Sequence, residues 1–197
     1  MTGKSKTGLF FGSFNPVHTG HLVIAGYMAE YTDLKDIWFV VSPQNPLKEK
    51  ASLLEDNHRL YMVNLAVEDD PRLKASSIEF HLPKPSYTID TLTYLSEKYP
   101  EKEFVLIAGQ DNLQSFHKWK NYEQLLEQYH IYLYPRPDSP ATVFDVHPHI
   151  HFTAAPVMDI SASFIRKSIS EGRNMRYFLP EKVWKYIEEM HFYVKRS

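Results

Sequence analysis

The stretch LFFGSFNPVHTGHL, residues 9–22, begins as an apolar run and ends with two histidines, His18 and His21. Its apolar beginning is typical of a strand that is buried on both faces. Gly12 allows a close approach of the backbone to a ligand, and Pro16 fixes one φ angle in the turn. The pattern after the turn predicts a helix, whose first free N–H groups and dipole favour an anion. The stretch therefore predicts a strand, a tight loop and a helix that begins beside two imidazoles.

Strand-like and helix-like segments alternate along the rest of the chain. Continuous apolar runs at 36–42 and 103–109 predict buried strands, and residues 73–80 predict a shorter one. This alternation, with short connections, predicts βαβ units and a parallel sheet with helices on both faces. We predict an α/β fold with a doubly wound parallel sheet and a small helical C-terminal part, as a single domain over residues 1–197. In such sheets ligands bind beyond the carboxyl ends of the strands, where the loop after the first strand lies.

The composition restricts the classes of function. The formal net charge is −2 over 197 residues, which argues against general affinity for nucleic acid or for an anionic membrane. The absence of cysteine excludes disulfides and thiolate chemistry. No apolar segment approaches the roughly 20 residues of a membrane span, and no signal peptide is evident. We therefore expect a cytoplasmic protein.

The loop at residues 12–21 has the chemistry of a phosphate site. Ser13 and Asn15 are polar and uncharged, and no carboxylate in the loop would repel an anion. The alternative is an ordinary strand, turn and helix with two incidental histidines. We do not expect the Gly-Lys-Ser at residues 3–5 to form a P-loop, which needs a strand and an earlier glycine before it.

Two motifs and several intermediate segments resemble one family. GSFNPVHTGH at 12–21 resembles the first signature of the HxGH nucleotidyltransferases, and ISASFIR at 160–166 resembles their second. Segments 85–92, 107–119 and 133–137, as well as the C-terminal LPEKVWKYIEEMHFY, are similar to bacterial nicotinate-nucleotide adenylyltransferases. The resemblance covers nearly the whole chain.

The resemblance implies a Rossmann-like nucleotidyltransferase fold and adenylyl transfer from ATP to nicotinate mononucleotide, giving deamido-NAD and pyrophosphate, with Mg²⁺ carried by ATP. The catalytic residues that it implies are His18, His21, Lys48 and Arg166. The implied ATP contacts are Gly12, Ser13, Phe14, His18, His21, Gly109, Asp111, Ile160, Ser161, Ser163 and Arg166. The implied mononucleotide contacts are Asn15, Lys48, Tyr87, Thr88, Asp111, Trp119 and Arg136.

Some of these residues have a second interpretation. Lys48 follows Leu47, which stands where the family usually has a histidine, and the surrounding segment also fits a solvated loop. Trp119 fits either a core position or a platform for the pyridine ring. Asp111 fits either a helix N-cap or a contact with the ribose or a metal-linked water.

Other open questions concern the histidines and the acceptor. His147, His149 and His151 alternate, so an extended strand would place them on one side, either as metal ligands or as an exposed strand edge. The acceptor could instead be nicotinamide mononucleotide, phosphopantetheine or an alcohol phosphate used with CTP. A non-catalytic nucleotide sensor on the same fold is a further alternative. The sequence is also compatible with an oligomer.

Overall fold

The computed structural model describes residues 3–43 and 53–195, which form a parallel sheet with helices on both of its faces. The strands are β1 (Ser5–Gly12), β2 (Asp36–Val41), β3 (Leu73–Ser76), β4 (Lys102–Gly109), β5 (Ile131–Tyr134) and β6 (Ile150–Phe152). The α-helices are α1 (Thr19–Tyr31), α2 (Asp56–Val67), α3 (Thr88–Lys98), α4 (Tyr122–Gln128), α5 (Ala162–Ser170) and α6 (Glu181–Glu189). Three 3₁₀ helices cover Ile78–His81, Gln110–Lys118 and Arg176–Phe178.

The strand order is β3-β2-β1-β4-β5-β6, and every neighbouring pair is parallel. The chain winds outward from β1 through β2 to β3, and then returns to place β4 on the other side of β1. This reversal confirms the doubly wound fold that the alternation of segments predicts.

Each face of the sheet carries its own apolar core, because successive side chains of a strand point to opposite faces. Leu9 of β1 belongs to one core, whereas its neighbour Phe10 belongs to the other. Buried residues of α1, α2, α5 and α6 pack with Phe10, and those of α3, α4 and the 3₁₀ helix Gln110–Lys118 pack with Leu9. The helices at the C-terminal end thus share a core with α1 and α2.

Only the first half of the strand predicted at residues 73–80 is present in the structure. β3 ends at Ser76, and the next residues form the 3₁₀ helix Ile78–His81. The turn is stabilised locally, since the Ile78 N–H bonds to Ser76 Oγ at 3.4 Å and the Phe80 N–H to the Ser77 carbonyl at 2.9 Å. The side chain of Glu79 is drawn inside, where its carboxylate accepts from Thr91 Oγ1 at 2.8 Å.

None of the helices in the described residues is both long and apolar enough to span a membrane.

Candidate active site

The point where the strand order reverses lies between β1 and β4, which are adjacent in the sheet. Beyond its carboxyl end, β1 continues into the loop 13–18, and β4 continues into the 3₁₀ helix Gln110–Lys118. The two connections leave to different sides of the sheet, and a crevice between such connections is the usual ligand site in this class of fold. The first sequence motif therefore lies where a ligand is expected.

The loop after β1 is held in an uncommon backbone conformation. Phe14 has a φ of 45°, a left-handed value that costs a non-glycine residue about 1–3 kcal/mol. Its ring is buried and packs on the rings of Phe39 at 5.4 Å and His21 at 5.0 Å. Gly12 is required nearby, because a Cβ there would lie 2.9 Å from the Phe14 ring. The Phe14 side chain thus fixes the loop from the core, and any ATP contact of this residue would have to use its backbone.

His18 and His21 stack on each other with ring centroids 3.8 Å apart. The His18 N–H donates to His21 Nδ1 at 3.2 Å, so a neutral His21 carries its proton on Nε2. His18 is the N-cap residue of α1, which begins at Thr19. The first turn of α1 contains no acidic residue, which keeps this end of the helix favourable for an anion.

Burial determines the charge of His18. Its side chain is only 4% exposed, and Nδ1 has no hydrogen-bond partner in the described part of the chain. Loss of solvation lowers its pKa to about 4, with a further contribution from the positive charge of Arg136. His18 is therefore a neutral imidazole at physiological pH.

Gly20 allows the second motif to approach the first. A Cβ on Gly20 would lie 3.1 Å from the His18 ring and 3.6 Å from Cβ of Ile160. The hydroxyl of Ser161 caps α5 by accepting from the Phe164 N–H at 3.2 Å. The two motifs are thus adjacent in space, although they are far apart in the sequence.

Arg166 makes the direct connection between the motifs. Its Nη1 donates to the Asn15 carbonyl at 2.8 Å, and its Nη2 donates to Ser163 Oγ at 3.2 Å. His18, His21 and Arg166 therefore lie on or against the same loop, and Ser163 is connected to it through Arg166.

The segments that follow β4 and β5 supply Asp111 and Arg136, respectively, to the same region. Gly109, and not Asp111, occupies the N-cap position of the 3₁₀ helix, so the N-cap interpretation of Asp111 is wrong. A Cβ on Gly109 would collide with Asp111 Oδ1 and lie 3.2 Å from both Arg136 and Tyr134. Arg136 Nε is 3.9 Å from Asp111 Oδ1, and Arg136 is close enough to affect the pKa of His18.

The remaining predicted residues lie at the start of α3 and at the end of the 3₁₀ helix. Tyr87 is the N-cap of α3 and Thr88 its first residue. Trp119 is half-buried and packs on Phe116 with ring centroids 5.3 Å apart, so it is partly a core residue. The next residue, Lys120, lies 4.8 Å from the centre of the Tyr87 ring, which brings the two segments together.

The predictions for Lys48 and for the alternating histidines concern residues outside the region described above. Lys48 and Leu47 lie outside the described residues. Of the alternating histidines, only His151 lies within β6, where its Nε2 is 2.8 Å from His130 Nδ1. His149 bonds to the Leu126 carbonyl at 2.6 Å. Residues 3–43 and 53–195 contain no group of three or more His, Cys, Asp or Glu side chains that could hold a metal ion.

Arg59 is a structural residue of the site that the sequence analysis missed. It is fully buried in α2, and its guanidinium donates to the carbonyls of Ser13 at 2.5 Å, Ser42 at 2.9 Å and Leu54 at 3.0 Å. Burial lowers its pKa, whereas the hydrogen bond to Asp56 opposes that effect. Arg59 thereby ties together the loops that follow β1 and β2. Its partners are mostly backbone carbonyls, which no residue pattern reveals.

The comparisons with known proteins agree with the fold and the motifs. Residues 9–168 match the sequence model of the family described as cytidylyltransferase-like. The chain is 57% identical to the probable nicotinate-nucleotide adenylyltransferase of Christiangramia forsetii, over 95% of the chain and 98% of the relative. It is 56% identical to the protein of the same name from Flavobacterium johnsoniae, over 96% of the chain and the whole relative.

A solved structure with the same fold is the nicotinic acid mononucleotide adenylyltransferase of Plasmodium falciparum in complex with NaAD. It matches with a TM-score of 0.82 at 19% identity, over 96% of this chain and 97% of that one. The family resemblance of the two motifs is therefore confirmed. The chain belongs to the cytidylyltransferase-like family and, within it, to the nicotinate-nucleotide adenylyltransferases.

Proposed function

We propose that this protein transfers the adenylyl group of ATP to nicotinate mononucleotide at the end of β1, forming deamido-NAD and pyrophosphate. Relatives that are 45–57% identical over most of the chain carry the name of this activity. The observation that carries the proposal is the contact of Arg166 with the loop that presents His18 and His21.

The reaction needs positioning more than acid–base chemistry. An oxygen of the mononucleotide 5′-phosphate attacks the α-phosphorus of ATP and forms the new P–O bond. The bond from the α-phosphorus to the bridging oxygen breaks, and its electron pair leaves with pyrophosphate. A phosphate oxygen is already nucleophilic at neutral pH, so the protein must align two polyanions and stabilise the charge that develops between them.

The two histidines suit the α-phosphate as neutral hydrogen-bond donors. The hydrogen bond that His21 Nδ1 accepts keeps the proton of that ring on Nε2, a suitable donor for a phosphate oxygen. His18 is kept neutral by burial, so its contribution does not depend on pH above about 6. Arg166 and the start of α5 with Ser161 are assigned to the β- and γ-phosphates, because a guanidinium fits phosphate oxygens well.

We assign the mononucleotide to the side of the site near the start of α3. Tyr87 caps that helix and Thr88 is its first residue. Lys120, which follows Trp119 in the chain, contacts the Tyr87 ring, so Trp119 lies near the start of the helix. Arg136 lies 3.9 Å from Asp111 and is close enough to His18 to lower its pKa, and we assign Arg136 and Asp111 to ribose and phosphate groups. The binding of phosphate by Lys48 remains a prediction. The cytoplasmic location and the formation of an oligomer also remain predictions.

Mg²⁺ is proposed to enter with ATP and to supply positive charge to the phosphate oxygens. An ion of this kind is usually held mainly by phosphate oxygens and water, with few ligands from the protein. The Asp111 carboxylate, 51% exposed, is the group we assign to a water-mediated contact with that ion or to the ribose.

The test is pyrophosphate release from ATP and Mg²⁺ with nicotinate mononucleotide, nicotinamide mononucleotide or phosphopantetheine as acceptor. We expect the highest kcat/KM with nicotinate mononucleotide. His21→Ala should lower kcat by about 10²–10³, the usual effect of removing one donor to developing charge. His81→Ala, which removes an exposed histidine from the 3₁₀ helix Ile78–His81, is the matched control. If no pyrophosphate is released with any of the acceptors, a nucleotide sensor is favoured. Near-normal turnover of His21→Ala would remove His21 from the mechanism.

A further inference from the structure

Glu79 carries a buried carboxyl group that the proposed reaction does not use. Its side chain is only 2% exposed, in the 3₁₀ helix Ile78–His81 that follows β3. The carboxyl oxygen Oε1 accepts from Thr91 Oγ1 at 2.8 Å, and the side chain of Ser42 also donates to the carboxyl group. The other oxygen, Oε2, is buried and has no hydrogen-bond partner among the described residues.

The burial of this carboxyl group costs free energy that an apolar side chain at the same position would not cost. Burial raises the pKa of Glu79, whereas the hydrogen bonds from Ser42 and Thr91 oppose that effect. A hydrogen bond tolerates only a narrow range of distances and angles, so the carboxyl group fixes its two donors relative to each other. Ser42 and Thr91 lie in different elements of the fold, and Glu79 therefore determines how those elements are placed.

Thr91 connects Glu79 to the start of α3. It is fully buried, and its N–H donates to the carbonyl of Tyr87, the N-cap residue, at 3.2 Å. Its Oγ1 lies 3.3 Å from the same carbonyl, but the shorter contact of 2.8 Å identifies Glu79 as the main acceptor of the hydroxyl. The carboxyl group thus holds the first turn of the helix that begins with Tyr87 and Thr88.

Ser42 connects Glu79 to the end of β1. Ser42 follows β2, and its N–H donates to the carbonyl of Gly12, the last residue of β1, at 2.9 Å. The carbonyl of Ser42 accepts from Arg59 Nη1 at 2.9 Å, and the same nitrogen donates to the carbonyl of Ser13. Glu79 is therefore linked through one residue to the loop of the phosphate site and through another to the start of α3.

We propose that Glu79 is a positioning residue for the mononucleotide: its carboxyl group holds the start of α3 in register with the loop after β1. The proposal rests on the proposed function, because it assigns the mononucleotide to Tyr87 and Thr88. Without the hydrogen bond from Thr91, the first turn of α3 is no longer fixed to the end of the sheet. The mononucleotide must then restore the arrangement when it binds, and its affinity falls.

The test compares Thr91→Val with Thr7→Val. Both changes remove the hydroxyl of a fully buried threonine that donates to a buried carboxyl group. The acceptor of Thr7 is Asp36, the first residue of β2, so this pair lies at the opposite end of the sheet. We expect Thr91→Val to raise KM for nicotinate mononucleotide about fivefold, the factor of one ordinary hydrogen bond, and to leave KM for ATP unchanged. Thr7→Val should lower the stability but leave both KM values at the wild-type level.

A double-mutant cycle with Glu79→Leu tests whether Thr91 acts through the carboxyl group. In the Glu79→Leu background, Thr91→Val should have no further effect on KM for the mononucleotide. Equal fold-changes in both backgrounds would overturn the proposal. If Glu79→Leu does not fold, the two threonine variants decide the question.

Three results with the threonine variants would also overturn the proposal. They are an unchanged KM for the mononucleotide in Thr91→Val, an equal rise of both KM values in Thr91→Val, and the same rise in Thr7→Val. Failure of the proposed function is distinct, because the wild-type protein would then release no pyrophosphate with nicotinate mononucleotide.

Discussion

Two glycines of α1, Gly20 and Gly26, allow a direct test of how closely the site is packed. Gly20 lies in the first turn of the helix and Gly26 in its interior, where alanine is favoured over glycine by about 0.5–1 kcal/mol. A Cβ at Gly26 would meet no atom within 4 Å. A Cβ at Gly20 would lie 3.1 Å from the His18 ring, closer than the 3.4 Å at which ordinary contacts begin. The two substitutions therefore have the same chemistry but different surroundings.

The expected effect of Gly20→Ala on the rate follows from these distances. The His18 ring must retreat by about 0.3 Å, and its burial and its stacking on His21 leave little room. A misplacement of 1 Å costs about 10²-fold in rate, so 0.3 Å costs about fourfold if the logarithm of the rate scales with displacement. Gly20→Ala should thus lower kcat about fourfold. Gly26→Ala should leave kcat unchanged and raise the melting temperature by about 1–4 °C.

The assay is pyrophosphate release at saturating ATP and nicotinate mononucleotide, together with thermal unfolding of both variants. Equal kcat values for Gly20→Ala and Gly26→Ala would refute the reasoning, since the histidine ring would then tolerate the extra methyl group. A loss of activity in Gly26→Ala would refute it as well, because no contact in the structure accounts for one.

Three further predictions follow from the site. The pKa of His18 is about 4 in the folded protein and near 6.5 in the unfolded chain. Between these pH values only the unfolded chain binds the proton. The contribution of His18 to the free energy of unfolding, about 3 kcal/mol, is therefore present above pH 6.5 and lost as the pH falls to 4. Unfolding of His18→Asn should lack this part of the pH dependence, and an identical pH profile would contradict the assignment. Arg59→Ala should lower the stability by about 3–5 kcal/mol, visible in urea unfolding, because it leaves several carbonyls without their buried donor. Trp119→Ala should raise KM for the mononucleotide and leave KM for ATP unchanged. If KM for the mononucleotide does not change, Trp119 has only a structural role, in packing on Phe116.

The sequence predicts those features of the site that depend on local pattern. The apolar run of β1, the glycine after it and the start of α1 are neighbours in the chain, so their structure follows from short-range rules. The family resemblance also identifies Arg166, and the structure places it against the same loop.

The features that sequence analysis misses depend on contacts between distant residues. In the sequence, Arg59 is only one of several polar residues in a helical segment. In the structure it is buried, and its hydrogen bonds to carbonyl groups connect two loops. Likewise, Tyr193 is 178 residues from Asn15, and nothing near either residue indicates their hydrogen bond. The end of β3 is mispredicted because Glu79 turns inward to Thr91, a partner in a helix that comes later.

The contacts of Asn15 also have a consequence for synthesis on the ribosome. Arg166 and Tyr193 lie 151 and 178 residues after Asn15, so they are translated long after the loop that they hold. A nascent chain can expose its histidine pair well before either contact is available. The catalytic centre is consequently assembled among the last events of folding, and a growing polypeptide has little opportunity to sequester nucleotide.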